Sequence, residues 1–312
     1  MVSTSSTKRS APIKFSKRRQ KILGGLILFL VIFFSLGWQA NYVGWFSRSL
    51  RVWVFDVGQG DAIFIETPDG QQILVDAGTS DNKILTKLGQ VMLPWDRSID
   101  AVVVTHPHLD HEGGLVAVLQ NYQMGTIYET GVLGYDEMQD TVRELVAEQE
   151  TRIVLLDGSN PPLPLGEGWG EGLVVQILSP DSNLQNKKID NLNNSSVVLL
   201  LTYGDTSLLL TGDAAFGEES EILNNILGPI DVLKVAHHGS LTSTSQQFLS
   251  AVAPRYAIIS VGENNDYGHP AVAALERLFN RRIQIFRTDL DGDILITSNG
   301  FEPNITSHPL PF

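Results

Sequence analysis

Thr105-His106-Pro107-His108-Leu109-Asp110-His111 is the stretch that decides the fold. Three histidines and an aspartate fall within six positions, directly after the apolar run Ile99-Asp100-Ala101-Val102-Val103-Val104. Such a run reads as a buried strand, and a strand that ends in His-x-His-x-Asp-His opens into a metal-binding loop. His106 and His108 point the same way where the chain is extended. Asp110 and His111 approach from the turn, so four donors surround two ions. The chain has seven histidines. Three are here, two form the pair His237-His238, and His269 and His308 stand alone. A polar loop with chance histidines is the competing reading, but clustered, uncompensated histidines have no packing use.

Working outward, chemistry-bearing residues recur at strand ends. Asp213, in Leu210-Thr211-Gly212-Asp213-Ala214, ends a strand and precedes a helix. It is either a helix N-cap or, with the histidine loop upstream, a carboxylate bridging two metals. In Val235-Ala236-His237-His238-Gly239-Ser240 one histidine completes the second metal, and the strand-then-His-Gly pattern favours His238. His237 is a further ligand candidate, or it orients a ligand or touches substrate. Asp76, in Leu74-Val75-Asp76-Ala77-Gly78, holds a liganding histidine by its other ring nitrogen, or is a simple turn aspartate. With no cysteine in the chain, disulfides, thiolate zinc sites and a cysteine nucleophile are excluded. Imidazole and carboxylate donors suit two divalent ions, zinc or manganese.

Two such ions about 3.5–4 Å apart lower the pKa of a shared water toward 7 and clamp a phosphoryl or carbonyl group. The expected mechanism is therefore hydrolysis by a metal-bound hydroxide. His106, His108, Asp110, His111 and His238 are the candidate ligands of the two ions, with Asp213 bridging. Asp110 also serves in proton transfer. His269, in the loop Tyr267-Gly268-His269-Pro270, is the candidate acid for the leaving group, or a surface histidine. Ser240, Ser243 and Ser245 either bind phosphate oxygens or cap the next helix. Gln59 and Asp61, in a Gly-rich turn, are placed at the mouth.

The pattern around these motifs predicts strands at Arg51–Val57, Ala62–Thr67, Gln72–Val75, Ile99–Val104, Leu173–Leu178, Ser196–Thr202, Ser207–Thr211, Ile230–Ala236, Tyr256–Val261, Ile283–Arg287 and Asp291–Thr297. Helices are expected at Gly113–Asn121, Asp136–Gln149, Gly217–Asn225, Ser245–Ala253 and Ala271–Phe279. Hairpins come first and αβ alternation later, so the body, 51–305, is a mixed α/β layered domain. The Gly/Pro-rich segment 158–172 is a surface insertion, and its Trp169 either touches a substrate or, the favoured reading, is an adventitious loop aromatic.

The first 21 residues carry seven basic residues and no acid, which leaves 15 basic against 35 acidic residues in the remainder, a charge near −20. A body this acidic is not a general nucleic-acid-binding surface. Ile22 to Ser47 carries no charge, and about 20 such residues span a membrane. The expectation is a basic cytoplasmic tail, 1–21, and one transmembrane helix within 22–47, or a signal-like segment. The body would then lie on the extracytoplasmic side. One span is too little for a channel or transporter.

Taken together, these motifs resemble the metallo-β-lactamase superfamily. His-x-His-x-Asp-His matches its second motif, Asp76 its first, Asp213 its fourth and His238 its fifth. The closer resemblance is to the hydrolase domain of the ComEC competence branch. It rests on Val54–Ala62, Ile73–Gly78, the Asn-Asn-Ser-Ser-Val-Val run from Asn193, Thr211-Gly212-Asp213, His237–Ser240, Tyr267–Pro270 and Thr288-Asp289. The resemblance implies an αββα sandwich of two mixed sheets and a phosphodiesterase or nuclease, with DNA as substrate. Most of the superfamily carries a third-motif histidine where this chain has none between Glu112 and Lys234. As in the ComEC-like branch, Asn193 or Asn194 stands there, and the first metal should bind less tightly. The expectation is a stand-alone domain without the competence channel. The alternatives are a hydrolase of an envelope phosphodiester, lactone or amide, and a metal-binding accessory protein.

Overall fold

The structure, a computed structural model, describes residues 18, 25–32, 49–134, 137–158, 172–226 and 228–308. It divides into two compact units, Met1–Ser47 and Arg48–Phe312. In the first unit residues 25–32 are helical, while 22–24 and 33–47 of the expected anchor lie outside the described residues. Among the described residues no helix is long and apolar enough to cross a membrane. The single-span anchor is therefore not supported, and the extracytoplasmic placement that depended on it falls with it. The basic tail, save Arg18, and residues 159–171 of the insertion, Trp169 included, also lie outside the described residues.

In the second unit β1 (Leu50–Val54), β2 (Ile63–Glu66), β3 (Gln72–Val75), β4 (Ser98–Val103), β5 (Gln123–Glu129), β6 (Arg152–Leu155), β13 (Asp293–Ser298) and β14 (Asn304–His308) form one sheet, ordered β14-β13-β1-β2-β3-β4-β5-β6. The other is ordered β12-β11-β10-β9-β8-β7, from β7 (Leu173–Ser179), β8 (Val198–Tyr203), β9 (Thr206–Leu210), β10 (Val232–Lys234), β11 (Tyr256–Ile259) and β12 (Gln284–Arg287). Both are mixed. Thr67 and Gln71 close the turn at Pro68-Asp69-Gly70 and make β2–β3 an antiparallel hairpin. The pairs β3–β4, β4–β5, β9–β10 and β10–β11 are parallel.

Alternation sorts the side chains into layers. Val52, Val54, Ile63, Ile65, Ile73, Val75 and Val103 pack in one cluster with Leu199, Leu201, Leu208, Leu210, Val232 and Ile258 of the other sheet. The alternate residues Trp53, Phe64, Leu74 and Val102 instead meet Ile84 and Leu88 of α1 (Lys83–Val91), Leu115 and Val118 of α3 (Leu115–Asn121) and Val142 of α4 (Glu137–Glu148). Leu209, Leu233, Ala257 and Ile259 meet Phe248 and Leu249 of α6 (Gln246–Val252) and Leu278 of α7 (Val272–Phe279). The short α2 (Leu109–Glu112) and α5 (Glu219–Asn224) fall between. The result is helix, sheet, sheet, helix, with each fully buried aliphatic side chain contributing about 1.5–3 kcal/mol. The parallel strands β3, β4, β9, β10 and β11 end on one edge of this sandwich, and the carboxyl ends of such strands are where α/β folds place ligands.

Candidate metal centre

Each functional side chain sits within a few residues of one of those strand ends. Asp76 follows β3 with φ 57°. Its Oδ1 accepts from the Thr105 amide (2.8 Å) and its Oδ2 from the Thr105 hydroxyl (2.7 Å). The same Oδ2 lies 2.7 Å from His111 Nδ1, which turns His111 Nε2 inward. His106 follows β4, its Nε2 2.9 Å from His108 Nδ1. After β9, Asp213 is fixed by its amide donating to Ser196 Oγ (3.1 Å). After β10, His237, His238 and Gly239 all adopt positive φ, at 50°, 53° and 78°. Two successive histidines in that region are strained and persist only where their surroundings hold them. His238 Nδ1 is tied to the Ser260 carbonyl (2.9 Å), so its Nε2 also points inward.

Asp213 stands at the centre. Its Oδ2 lies 3.8 Å from both His106 Nε2 and His237 Nε2. Its Oδ1 lies 3.3 Å from His111 Nε2 and 3.7 Å from His238 Nε2. Asp110, the more exposed carboxylate, reaches His238 Nε2 at 3.2 Å. Among the described residues His111 Nε2, His238 Nε2 and Asp213 Oδ1 are all buried without a hydrogen-bond partner. Orphaned donors and acceptors converging in this way are costly unless something binds them, and nitrogen with carboxylate oxygen is a divalent-ion donor set. The groups His106–His111–Asp213, Asp110–His111–His238 and Asp61–Asp213–His238 each bring three ligand atoms within 4.8 Å of one another. The residues therefore fit a metal.

The electrostatics divide the site. Burial, with the charge of His111 adding to it, holds the His106 imidazole well below its ordinary pKa. Burial likewise lowers His108 and His237. Burial also works against charging His111, but the carboxylates of Asp213 and Asp76 outweigh it and push His111 well above the ordinary value. His238 is raised against its own burial by Asp213 and Asp110. Burial would raise Asp110 and Asp213; His238 and His111 instead hold Asp110 below the usual carboxylate range, and His111 with His238 does the same to Asp213.

A family model of the metallo-β-lactamase superfamily matches residues 55–263. The chain belongs to that superfamily. It is 31% identical to ComE operon protein 3 of Bacillus subtilis over 80% of this chain and 33% of that protein. It is 33% identical to competence protein ComA of Neisseria gonorrhoeae over 79% of this chain and 32% of that one. These relatives are ComEC-type competence proteins, and the chain spans about a third of their length. Among solved structures, the metallo-β-lactamase fold protein YhfI of Bacillus subtilis superposes with TM-score 0.52 at 14% identity, over 80% of this chain and all of that one. Zn(2+)-bound PqqB of Methylobacterium extorquens gives TM-score 0.50 at 14% identity, over 73% of this chain and 85% of that one. Members of the superfamily bind divalent metals.

The structure brings His106, His108, Asp110, His111, Asp213, His237 and His238 to one place, with Asp76 directly behind His111. Of the two asparagines, Asn193 is buried beside His237 (3.3 Å), with its Oδ1 unpartnered, whereas Asn194 is exposed. His269 and Gln59 line the cleft of about 500 Å³ over the centre, together with Leu109, Asp190, Leu192 and Tyr267. For the serines the local reading holds, and the placement of Asp61 changes. Ser240 Oγ accepts from the Thr242 amide and pairs with its hydroxyl, Ser243 bonds the Ala236 carbonyl and Ser245 caps α6, so all three serve the local backbone. Asp61 is not at the mouth. It is buried, its Oδ2 2.5 Å from Lys234 Nζ and its Oδ1 3.5 Å from His238 Nδ1. Lys234 itself went unread. Alternation puts it on the same face as Val232, between the sheets, and it is only 1% exposed. The available signal was a lone cation in the apolar run Val232-Leu233-Lys234-Val235-Ala236.

Proposed function

We propose that the chain hydrolyses phosphodiesters at a binuclear metal centre, with DNA as the substrate. The observation that carries this is the division of Asp213, whose two carboxylate oxygens face two different sets of histidines. His106 and His108, with Asn193 beside them, would hold one ion; Asp110, His111 and His238 would hold the other; Asp213 would touch both. When bound, the metals supply Lewis acidity and neutralise charge on a phosphoryl group.

The chain's own residues do the rest. Asp76 and the Ser260 carbonyl fix the rings of His111 and His238 so that their Nε2 atoms face the centre. Asp110 is held ionised, which suits a ligand better than a general base. Burial and His237 keep the His269 pKa below its ordinary value. His269 in the cleft donates one N–H to the leaving oxygen, and the proton that passes to that oxygen is replaced on the ring from solvent. Among the described residues no lysine or arginine lines the cleft, so phosphate charge there falls to the metals and these histidines. DNA enters through the ComEC resemblance.

The test is hydrolysis of single-stranded DNA, double-stranded DNA and a small chromogenic phosphodiester by the full chain. Reactions with Mn or Zn are run beside EDTA controls and the Asp110→Ala variant. The reading requires metal-dependent cleavage, lost in EDTA and reduced about 100-fold or more in the variant. Equal activity in the variant removes the site, and cleavage of the small diester but not of DNA removes the substrate.

A further inference from the structure

Tyr267 is 70% exposed, yet its position is fixed. Asn265 Oδ1 accepts from the Tyr267 amide (3.2 Å) and the His269 amide (3.0 Å). Asn265 Nδ2 donates to the carbonyls of Gly262 (3.0 Å) and His269 (2.7 Å). The loop is also tied to the histidine turn, since the Ala271 amide donates to the Gly239 carbonyl (2.9 Å). The Tyr267 ring stacks on His269 with centroids 6.0 Å apart and planes 17° apart. His269 meets His237 edge-on at 5.6 Å and 69°, and His237 Nε2 lies 3.8 Å from Asp213 Oδ2. A ladder of rings thus runs from solvent to the central carboxylate. Leu109, 54% exposed, lines the same cleft.

An exposed aromatic face held beside the histidine-lined cleft suits a ligand with a flat π-face attached to a phosphodiester. We infer that Tyr267, backed by His269, is a stacking platform for an unpaired nucleobase next to the scissile phosphodiester, so that the site takes single-stranded nucleic acid. The inference rests on the phosphodiesterase reading and adds a base subsite to it. A duplex base keeps both faces stacked inside the helix and cannot lie on the ring without being extruded. Stacking on an aromatic side chain is tolerant of sequence, so the platform selects strandedness and not base identity.

The test is fluorescence anisotropy of metal-loaded full-length protein with a hydrolysis-resistant phosphorothioate oligonucleotide. An abasic oligomer of the same length and a duplex serve as comparisons. Tyr267→Ala is expected to weaken single-strand binding about ten-fold, the size of one base–aromatic stack. Tyr267→Phe should retain it, and the abasic oligomer should bind both variants alike. Equal weakening on the abasic oligomer, no weakening in Tyr267→Ala, or no binding of the single strand overturns the platform. Hydrolysis of the chromogenic diester by the wild type judges the phosphodiesterase reading separately. Its failure leaves the anisotropy comparison intact.

Discussion

His111 sets how the site answers to pH. Without metal, Asp213 and Asp76 hold its imidazole protonated well above the ordinary range, and an imidazolium cannot ligate. Metal must therefore displace that proton. Affinity is weakest below the raised pKa of His111 and grows as pH rises through it. Calorimetry near pH 7, in buffers of different ionisation enthalpy, should show release of at least one proton per chain. Heats independent of buffer would contradict the assignment. Asp76→Asn, which removes the carboxylate behind His111, should weaken metal binding about 10- to 100-fold, with the fold retained by circular dichroism. The ligand-type residues were legible because each follows a predicted strand end. Lys234 and its pairing with Asp61 were not, because a buried ion pair depends on two segments 173 positions apart meeting between the sheets.

At the scale of elements, glycines let the loops close on one another. A Cβ on Gly60, at φ 121°, would stand 2.0 Å from the Asp110 carbonyl oxygen. Gly60→Ala should therefore displace the loop that carries Asp110. A melting temperature lower by several degrees and weaker metal binding are expected. Gly89→Ala is the control: it lies in α1 with nothing within 4 Å of the added carbon, and should stabilise by about 0.5–1 kcal/mol. Equal melting temperatures for the two variants would refute the close-approach argument. Most strands were readable from apolar runs with turn signals between them. β5 was not, since Gly125 packs against Asp100 and breaks its pattern. β6 has four residues and β14 is mostly polar, both too weak for periodicity, and α1 carries a glycine and a threonine that dilute its helical signal.

At the scale of the whole body, Lys234 of β10 and Asp61, from the loop after β1, pin the two sheets together behind His238. Lys234→Met leaves Asp61 buried and unpaired, and should destabilise by about 3–5 kcal/mol. Removing both charges with Asp61→Leu and Lys234→Met should recover part of that. Urea unfolding of the two variants measures it, and a loss under about 1 kcal/mol for Lys234→Met would dismiss the pin. The acidic charge and the lack of lysine or arginine along the cleft among the described residues imply few displaced counterions. Binding of single-stranded DNA should fall only shallowly with salt, with a log–log slope of magnitude about 2 or less; a steep slope would place binding on a basic surface instead. The central claim is that Asp213 joins two ligand sets. Titrating metal-free full-length protein with Zn or Mn tests it most directly. Two binding events of unequal affinity are expected, the weaker on the side of His106, His108 and Asn193. Asp213→Ala is expected to impair both. A single event in the wild type, or two undiminished events in Asp213→Ala, would contradict the claim.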